Sequence, residues 1–270
     1  MKAPAFAYAK PRALAEVFAL LERHGEGARI LAGGQSLIPS LNMRLSSPEI
    51  LVDIASLSSL KKVVVEEKIL KIGALVTHSQ IEKSEEVRKH APLLAEAVTH
   101  IAHPAIRNRG TLGGSLALAD PAAEYPACAL ALDAVFLLEG RKGERRVKAC
   151  DFFKGLFETA LKPGEVLTAV EFPIARPGDK SVFLELARRQ GDYAIVGLAA
   201  FKGPETRFAF LNVGPTPVLA KRASRERSLE KARKALLGDL DPAADLYSSA
   251  EMKRHLAGVL LERAWNRLSI

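Results

Sequence analysis

Two pairs of adjacent glycines are the residues best suited to binding chemistry in this chain. The first pair lies in the run Ala32, Gly33, Gly34, Gln35 and Ser36, and the second in the run Thr111, Leu112, Gly113, Gly114 and Ser115. Consecutive glycines let the main chain approach an anion closely and turn successive N–H groups toward it. Hydroxyl groups of serine and threonine add further donors. We expect the two loops together to bind a diphosphate.

Each glycine pair alone is weak evidence, because glycine most often serves an ordinary turn. The first run lacks the lysine of the G-x-x-x-x-G-K-[ST] pattern, so the sequence does not support ATP-type phosphoryl transfer. The pattern G-x-G-x-x-G is also absent after the first predicted strand. A dinucleotide would therefore be bound by a fold other than the Rossmann type.

The elements around the first pair predict a small α/β unit. Apolar residues at helical spacing predict a helix over residues 13–25, and residues 28–34 predict a strand that runs into the glycines. A second strand is predicted within residues 48–57 and a hairpin within residues 61–73. The first glycine loop therefore follows a strand.

The second pair lies in the least generic part of the sequence. A helix is predicted to begin after Thr77, and another is predicted over residues 87–103, closed by Pro104. After the glycines come a polar turn at Asp120 and Pro121, a helix, and a strand at residues 134–140. The rest of the chain is predicted to contain two strands separated by a turn at residues 176–180, and then a meander of strands. Helices are predicted from about residue 229 onward.

Composition predicts a soluble globular protein, with 48% hydrophobic and 26% charged residues among 270. The net charge of +8 comes largely from residues 221–237, where Glu226 and Glu230 interrupt the basic residues. A helix with a mixed-charge face, or an acidic protein partner, explains this better than nucleic acid does, because aromatic residues make up only 6%. Cys128 and Cys150 are expected to pack as small hydrophobic residues.

Three separated motifs resemble one family. The runs at residues 31–45, 104–134 and 186–200 closely resemble the medium, FAD-binding subunit of the molybdenum hydroxylases, a family that includes carbon monoxide dehydrogenase medium subunits and xanthine dehydrogenase flavin domains. The resemblance covers nearly the whole chain and implies an α+β protein. It implies an FAD-binding fold of the vanillyl-alcohol-oxidase-like (PCMH) type, with subdomains at residues 1–55 and 56–176. A C-terminal α+β domain with a small antiparallel sheet and helices would follow at residues 177–270.

The resemblance also assigns residues to the cofactor. Both glycine runs would bind the FAD diphosphate and nearby ribityl chain through main-chain amides and hydroxyls. Asp120 would accept a hydrogen bond from a sugar hydroxyl, and Tyr193 and Leu161 would flank the two faces of the isoalloxazine ring. Gln35 stands where some relatives have a histidine and Ser115 where many have an asparagine, and both residues are polar and small enough to keep the role.

Each assignment has a structural alternative that the sequence leaves open. Tyr193 has the character of a half-buried strand residue, and Leu161 that of a core residue. Asp120 before Pro121 is typical of a helix start. Arg107 and Arg109 are suited either to the surface or to a phosphate. His103 has no partner in the sequence, so no proton-transfer role is assigned to it.

The family implies a place in an electron-transfer chain and no catalytic residue of its own. A large molybdenum subunit would hydroxylate the substrate with oxygen from water, and [2Fe–2S] clusters of a small subunit would carry the electrons to FAD. NAD, a quinone or oxygen would accept them. The sequence has no cysteine cluster, so the iron–sulfur clusters and the molybdenum cofactor are expected on partner chains, in a dimer of heterotrimers.

Two alternatives remain at this stage. One is a stand-alone FAD oxidoreductase of the same fold, and the other is an interaction protein that has lost the flavin. No apolar stretch approaches the thickness of a bilayer and no secretion signal is recognised, so the expected location is the cytoplasm, with attachment to the inner face of the membrane left open.

Overall fold

The computed structural model describes residues 2–269 and begins with a small α/β unit. Its elements are β1 (Ala7–Ala9), α1 (Leu14–His24), β2 (Ala28–Leu31), α2 (Leu37–Asn42) and β3 (Ile50–Asp53). The three strands form a parallel sheet in the order β1-β3-β2, which places β3 in the centre. The apolar run at the start of β3 is accordingly buried.

Helix α1 confirms the helix predicted at residues 13–25. Its residues Val17 and Phe18 are buried in the core cluster that contains the sheet residues Ile50 and Val52. The helix ends at Gly25, whose φ of 49° lies in the left-handed region. A 3₁₀ turn at Gly25–Gly27 then leads into β2, so the first glycine loop follows a strand as predicted.

The second unit is a five-stranded antiparallel sheet with helices. Its helices are α3 (His78–Lys83), α4 (Glu85–His90), α5 (Pro92–Ala97), α6 (Pro104–Arg107), α7 (Leu112–Leu118), α8 (Glu124–Ala131) and α9 (Ala149–Phe152). Its strands are β4 (Val63–Glu66), β5 (Ile69–Gly73), β6 (Val135–Gly140), β7 (Gly143–Lys148) and β10 (Val166–Pro173), with a separate small pair, β8 (Phe153–Gly155) and β9 (Glu158–Thr159). The main sheet has the order β4-β5-β10-β6-β7, and β4–β5 is the predicted hairpin.

The single helix predicted over residues 87–103 is wrong. The structure has two short helices there, α4 and α5, which meet at Ala91 and Pro92, and turns follow Ala97. Proline has no N–H and its ring crowds the preceding turn, so it is accommodated at the first position of α5 and not inside a continuous helix.

The third unit is a four-stranded antiparallel sheet covered by helices. Its elements are β11 (Lys180–Ala187), β12 (Ala194–Lys202), β13 (Thr206–Leu211), β14 (Val218–Leu219), a 3₁₀ turn at Ala223–Arg225, α10 (Leu229–Leu236) and α11 (Ala250–Leu268). The strands lie in sequence order, which confirms the predicted meander. Helix α11 packs on β11 and β12, and Trp265 stacks near Phe208 with ring centroids 6.2 Å apart.

The second and third units share an apolar core. Helix α5 packs on β11, and α8 packs on β12 and β13. The Phe183 N–H donates to a carboxylate oxygen of Glu96 at 2.8 Å, and the Asn212 N–H donates to the Pro121 carbonyl at 2.7 Å. The predicted domain boundaries at residues 55 and 176 stay predictions, and each falls between two of the sheets.

Two surface predictions have different outcomes. Cys128 is buried, but Cys150 is exposed, so the prediction that it packs in the core is wrong. The reason is that α9 turns Ala149 and Phe152 inward and Cys150 outward. The basic segment does contain a helix with mixed charge, since Arg233 of α10 pairs with Glu262 of α11 at 3.0 Å.

Among residues 2–269, no helix is both long and apolar enough to cross a bilayer.

Candidate functional site

The first glycine loop joins β2 to α2 and is shaped by Gly34. This residue has a φ of 75°, in the region that favours glycine, and an added Cβ would lie 3.2 Å from both Ile38 Cγ1 and Leu31 Cδ1. The Gln35 amide donates back to the Gly33 carbonyl at 3.1 Å. Gln35 and Ser36 are exposed, whereas Ala32, Gly33 and Gly34 are half-buried. The loop therefore turns tightly and presents one side to solvent.

The N–H groups of this loop are available to a ligand. Five successive residues from Gly33 to Leu37 have no hydrogen-bond acceptor for the backbone N–H within residues 2–269. The first helical bond after the loop, from the Ile38 N–H to the Gly34 carbonyl at 3.0 Å, leaves all five donors free. A run of unpaired N–H groups on a glycine turn is a concave donor array of the kind that binds phosphate oxygens.

The second glycine pair is not in a loop, as the sequence suggested, but in the first turn of α7. Thr111 caps the helix, accepting the Gly114 N–H on its hydroxyl at 3.1 Å. The Leu112 N–H donates to the Val76 carbonyl at 3.0 Å and the Gly113 N–H to the Ala74 carbonyl at 2.9 Å.

Little main-chain donor capacity is left in this second segment. The Ser115 N–H donates to the Thr111 carbonyl at 3.0 Å, so four successive amides are bonded within the protein. What remains is the hydroxyl group of the half-buried Ser115, next to the exposed Gly114. The two glycine pairs, which look equivalent in the sequence, thus have different chemistry.

Gly113 has a packing reason for being glycine. An added Cβ would lie 2.4 Å from the Ala74 Cβ and 2.8 Å from the Ala74 carbonyl oxygen, closer than atoms can approach. At Gly114 an added Cβ would approach only the Thr111 hydroxyl, at 2.8 Å. Gly113 therefore allows α7 to pack against the chain that leaves β5.

The structure brings the two glycine segments into direct contact. An added Cβ on Gly33 would lie 2.2 Å from the Arg109 carbonyl oxygen and 2.9 Å from the Gly110 Cα. The first loop therefore packs, backbone against backbone, on the residues that immediately precede Thr111. The free amides of the first loop and the start of α7 therefore belong to adjoining segments.

The two arginines ahead of α7 have different surroundings. Arg107 is engaged within the protein: its guanidinium pairs with Glu82 at 3.0 Å and donates to the carbonyls of Ile101 and Ala102 at 3.0 and 3.1 Å. Arg109 is exposed and has no ion pair among the described residues. Of the two, Arg109 is the one available to an anionic ligand at the contact between the segments.

Asp120 lies in a turn and does not start a helix. Its Oδ1 accepts the Ala122 N–H at 2.9 Å, and α8 begins at Glu124, four residues later. Burial raises the pKa of the Asp120 carboxyl. Burial, together with the charge of Glu185 on β11, raises the pKa of the Glu124 carboxyl to about 8, and burial raises that of Glu185 to about 7.

Tyr193 reaches this acidic cluster from the third unit. It directly precedes β12, and its pKa is raised by burial and by the charges of Asp120 and Glu124. The residue as a whole is 71% exposed, so it is not the half-buried strand residue of the alternative reading. The charge of Asp120 therefore acts on the Tyr193 hydroxyl, although 73 positions separate the two residues in the sequence.

Leu161 lies in the connection between β9 and β10. It is partly buried against the main core cluster, and its N–H donates to the Thr159 hydroxyl at 3.3 Å. Strand β9 contacts α7, which places this connection beside the helix that carries the second glycine pair.

Three features of the site were missed by sequence reasoning. They are the Arg109–Gly110 backbone under the first loop, Ala74 under Gly113, and the buried His78, whose ring lies against Gly110. The contacts of Ala74 and His78 join residues more than thirty positions apart and leave no local pattern. Only Gly110 could have been noticed in the sequence, because it is a glycine just before the second glycine pair.

The arrangement has the features of a class of protein that binds anions through backbone amides: unpaired donors on a glycine turn that packs on a second segment, followed by a separate sheet-and-helix unit. Comparison with known proteins specifies that class. The FAD binding domain in molybdopterin dehydrogenase matches residues 4–175, and the CO dehydrogenase flavoprotein C-terminal domain matches residues 181–268. The chain belongs to this family of molybdopterin dehydrogenase flavoproteins.

Individual relatives cover almost the entire chain. The 6-hydroxypseudooxynicotine dehydrogenase complex subunit alpha of Paenarthrobacter nicotinovorans is 36% identical, over 97% of this chain and 94% of its own length. The carbon monoxide dehydrogenase medium chain of Hydrogenophaga pseudoflava is also 36% identical, over 97% and 96%. A chain of quinoline 2-oxidoreductase from Pseudomonas putida 86 superposes with a TM-score of 0.92 at 38% identity, covering 100% and 98%.

These findings confirm the predicted family, the FAD-binding fold with its C-terminal domain, and the assignment to oxidoreductase subunits. They also confirm FAD as the cofactor class of the N-terminal domain. The site fits such a cofactor, because the free amides of the first loop suit a diphosphate.

Proposed function

We propose that this chain is the FAD-carrying electron-transfer subunit of a molybdenum hydroxylase complex. It would take electrons from [2Fe–2S] clusters on a small partner subunit and pass them to an external acceptor such as NAD, a quinone or oxygen. The observation that supports this most strongly is the run of free N–H groups from Gly33 to Leu37, held against the second glycine segment.

The two segments have unequal roles in binding the cofactor. The amides of the first loop, with the exposed guanidinium of Arg109, bind the diphosphate oxygens. The start of α7 contributes mainly through the Ser115 hydroxyl and through the close surface that Gly114 leaves open. Leu112 and Gly113 shape the site, because their amides are already bonded.

The remaining assigned residues bind the parts of FAD beyond the diphosphate. Asp120 keeps one carboxylate oxygen on the Ala122 N–H, which leaves the other for a sugar hydroxyl. Tyr193 is exposed enough to cover one face of the isoalloxazine, and Leu161 offers an apolar surface for the other. When bound, FAD supplies the redox chemistry, and the residues of this chain bind it, orient it and exclude water.

No side chain is assigned a catalytic role. The relatives include enzymes named for a nicotine derivative, carbon monoxide and quinoline, at closely similar identity. These relatives are about equally similar to this chain although their substrates differ. This supports the proposal that another chain of each complex determines the substrate. That chain would be a large molybdenum subunit, so that a complete assembly is a dimer of heterotrimers.

The basic segment supports docking to an acidic partner. Five basic residues of this segment are exposed and form no ion pair among the described residues: Lys221, Arg222, Arg227, Lys231 and Lys234. Charge attraction between such a face and an acidic small subunit would be screened by salt. Co-purification that holds at low salt and fails at high salt supports this partner chemistry, and salt-insensitive assembly contradicts it.

One experiment distinguishes the proposed function from its alternatives. The chain is purified alone and with its co-expressed genomic neighbours, and each sample is examined for FAD and for reduction of the flavin under anaerobic conditions. Substrate should reduce the flavin only in the complex. A colourless chain in both samples would indicate an interaction protein, and reduction of the isolated chain by a small substrate would indicate a stand-alone oxidoreductase.

A further inference from the structure

A buried histidine lies beneath the contact between the two glycine segments. His78 is the first residue of α3, follows the capping residue Thr77, and is only 5% exposed. Its ring stacks obliquely on Tyr125 of α8, with centroids 5.4 Å apart and planes at 49°. The imidazole is thus held between two helices in the core of the second unit.

Hydrogen bonding does not explain why a histidine occupies this position. The His78 Nδ1 and the Tyr125 hydroxyl are both buried, and neither has a hydrogen-bond partner among residues 2–269. A buried polar atom without a partner destabilises the folded state, so an apolar residue would be expected at this position if filling space were sufficient. Some other contact of the ring must account for it.

That contact is with Gly110. An added Cβ on Gly110 would lie 2.6 Å from the imidazole Cδ2 and 2.7 Å from Nε2, so the flat ring lies directly against the glycine backbone. The His78 N–H also donates to the Gly110 carbonyl at 2.9 Å. Ring and backbone together fix Gly110 from the side of α3.

Gly110 is in turn one of the residues on which the first glycine loop rests. An added Cβ on Gly33 would lie 2.9 Å from the Gly110 Cα. A continuous series of contacts therefore runs from Tyr125 through His78 and Gly110 to Gly33. Interiors are close-packed, so a shift of the imidazole is transmitted along such a series.

Burial and the nearby charge of Arg107 keep the imidazole neutral. Arg107 of α6 lies near it and is held by Glu82 of α3, and Tyr125 of α8 covers the ring. Burial, and then the charge of Arg107, lower the pKa of His78 to about 4. At neutral pH the imidazole is an uncharged, flat spacer.

We propose that His78 is a positioning residue for the FAD diphosphate: its imidazole, braced by Tyr125, sets the position of the Gly110 backbone and thereby the separation of the two glycine segments. This role rests on the proposed function, since it concerns the same cofactor. It assigns a role to a buried side chain whose Nδ1 has no hydrogen-bond partner among residues 2–269.

A double-mutant cycle tests this role. Gly110→Ala, His78→Ala and the double variant are compared with the wild-type full-length chain for the Kd of FAD and for the Tm of the unliganded chain. Gly110→Ala should weaken FAD binding about tenfold when the imidazole is present, and less than about threefold when His78→Ala has made room for the methyl group. His100→Ala is the matched control, because this histidine also stacks on a ring, that of Phe183 at 5.1 Å, away from the glycine segments.

The two readouts separate positioning from general stability. Coupling of the two substitutions in the Kd of FAD supports the role, and additive effects on the Kd overturn it. Coupling seen only in the Tm, with FAD affinity unchanged, also overturns it, because packing would then be the whole explanation. If His78→Ala does not fold, His78→Gln takes its place in the cycle. A wild-type chain that binds no FAD refutes the proposed function first, and this role with it.

Discussion

Replacing Gly33 by alanine is the most direct perturbation of the site. The added Cβ would lie 2.2 Å from the Arg109 carbonyl oxygen, whereas ordinary contacts begin near 3.4 Å. Both partners are backbone, so no side chain can rotate away. The first loop and the Arg109–Gly110 segment must therefore separate by about 1.2 Å, the difference between those two distances.

A displacement of this size exceeds what a hydrogen bond tolerates. Bonds from N–H to oxygen are typically about 2.9 Å long and weaken beyond about 3.2 Å, so a loop moved by about 1 Å loses at least one bond to the diphosphate. A hydrogen bond to a charged group contributes about 1.5–3 kcal/mol. Gly33→Ala should consequently raise the Kd of FAD roughly ten- to hundredfold, and overpacking should lower stability by about 1–3 kcal/mol.

The assay is a titration of the FAD-depleted chain with FAD, followed by quenching of flavin fluorescence, with thermal unfolding measured on the same samples. Gly258→Ala is the matched control, since Gly258 lies inside α11 and the nearest atom to its added Cβ is Arg233 Nε at 4.0 Å. That change should leave FAD affinity unaltered and stabilise the helix by up to about 1 kcal/mol. A Kd for Gly33→Ala within about twofold of the wild-type value would refute the clamp formed by the two segments.

Three further changes address other parts of the site. Gly34→Val should abolish FAD retention in a folded chain, because a β-branched residue is strained by about 1–3 kcal/mol at a φ of 75°; normal flavin absorbance per chain would contradict this. Tyr193→Ala should keep FAD, leave stability within about 0.5 kcal/mol and shift the flavin reduction potential, and an unchanged potential in a spectroelectrochemical titration would remove Tyr193 from the ring. Glu124→Gln should raise the free energy of unfolding above about pH 8 by several kcal/mol, at roughly 1.4 kcal/mol for each unit by which the folded-state pKa exceeds the ordinary value. It should not do so near pH 5, as denaturant titrations at both pH values can show. The sign follows because the folded-state pKa values of Glu124 and Glu185, about 8 and about 7, exceed the ordinary value of 4.5, so stability is lost as the pH rises through them.

Most of the fold could be predicted from the sequence because its elements are encoded locally. The helix over residues 13–25, the hairpin near residues 61–73 and the C-terminal meander all carry a clear apolar period. The helix break at Pro92 was signalled by the proline, yet the strong helical pattern on both sides of it suggested continuity. The strands β1, β7, β8 and β9 are short or largely exposed, so no apolar pattern marked them.

The sequence predicts where a site would lie, but it does not show which donors of that site are free. Residue types showed where backbone could approach an anion, at Gly34 and Gly114. They could not show which amides were already bonded, because the acceptors for Leu112 and Gly113 are carbonyls near residue 75. Whether a backbone donor is free depends on pairing between distant segments, and such pairing is a property of the folded chain.

The free backbone donors belong to the first glycine loop, but the position of that loop depends on contacts with the second unit. The first loop has the free donors, but within the described residues little holds its own shape beyond the turn at Gly34 and the Gln35 side-chain bond to the Gly33 carbonyl. Its position is defined from outside, by the Arg109 and Gly110 backbone. That backbone is in turn fixed by the bonded amides at the start of α7 and by the chain on either side of His78. Substitutions in the second unit that touch no ligand atom, such as Gly110→Ala, should therefore also weaken FAD binding, by about tenfold.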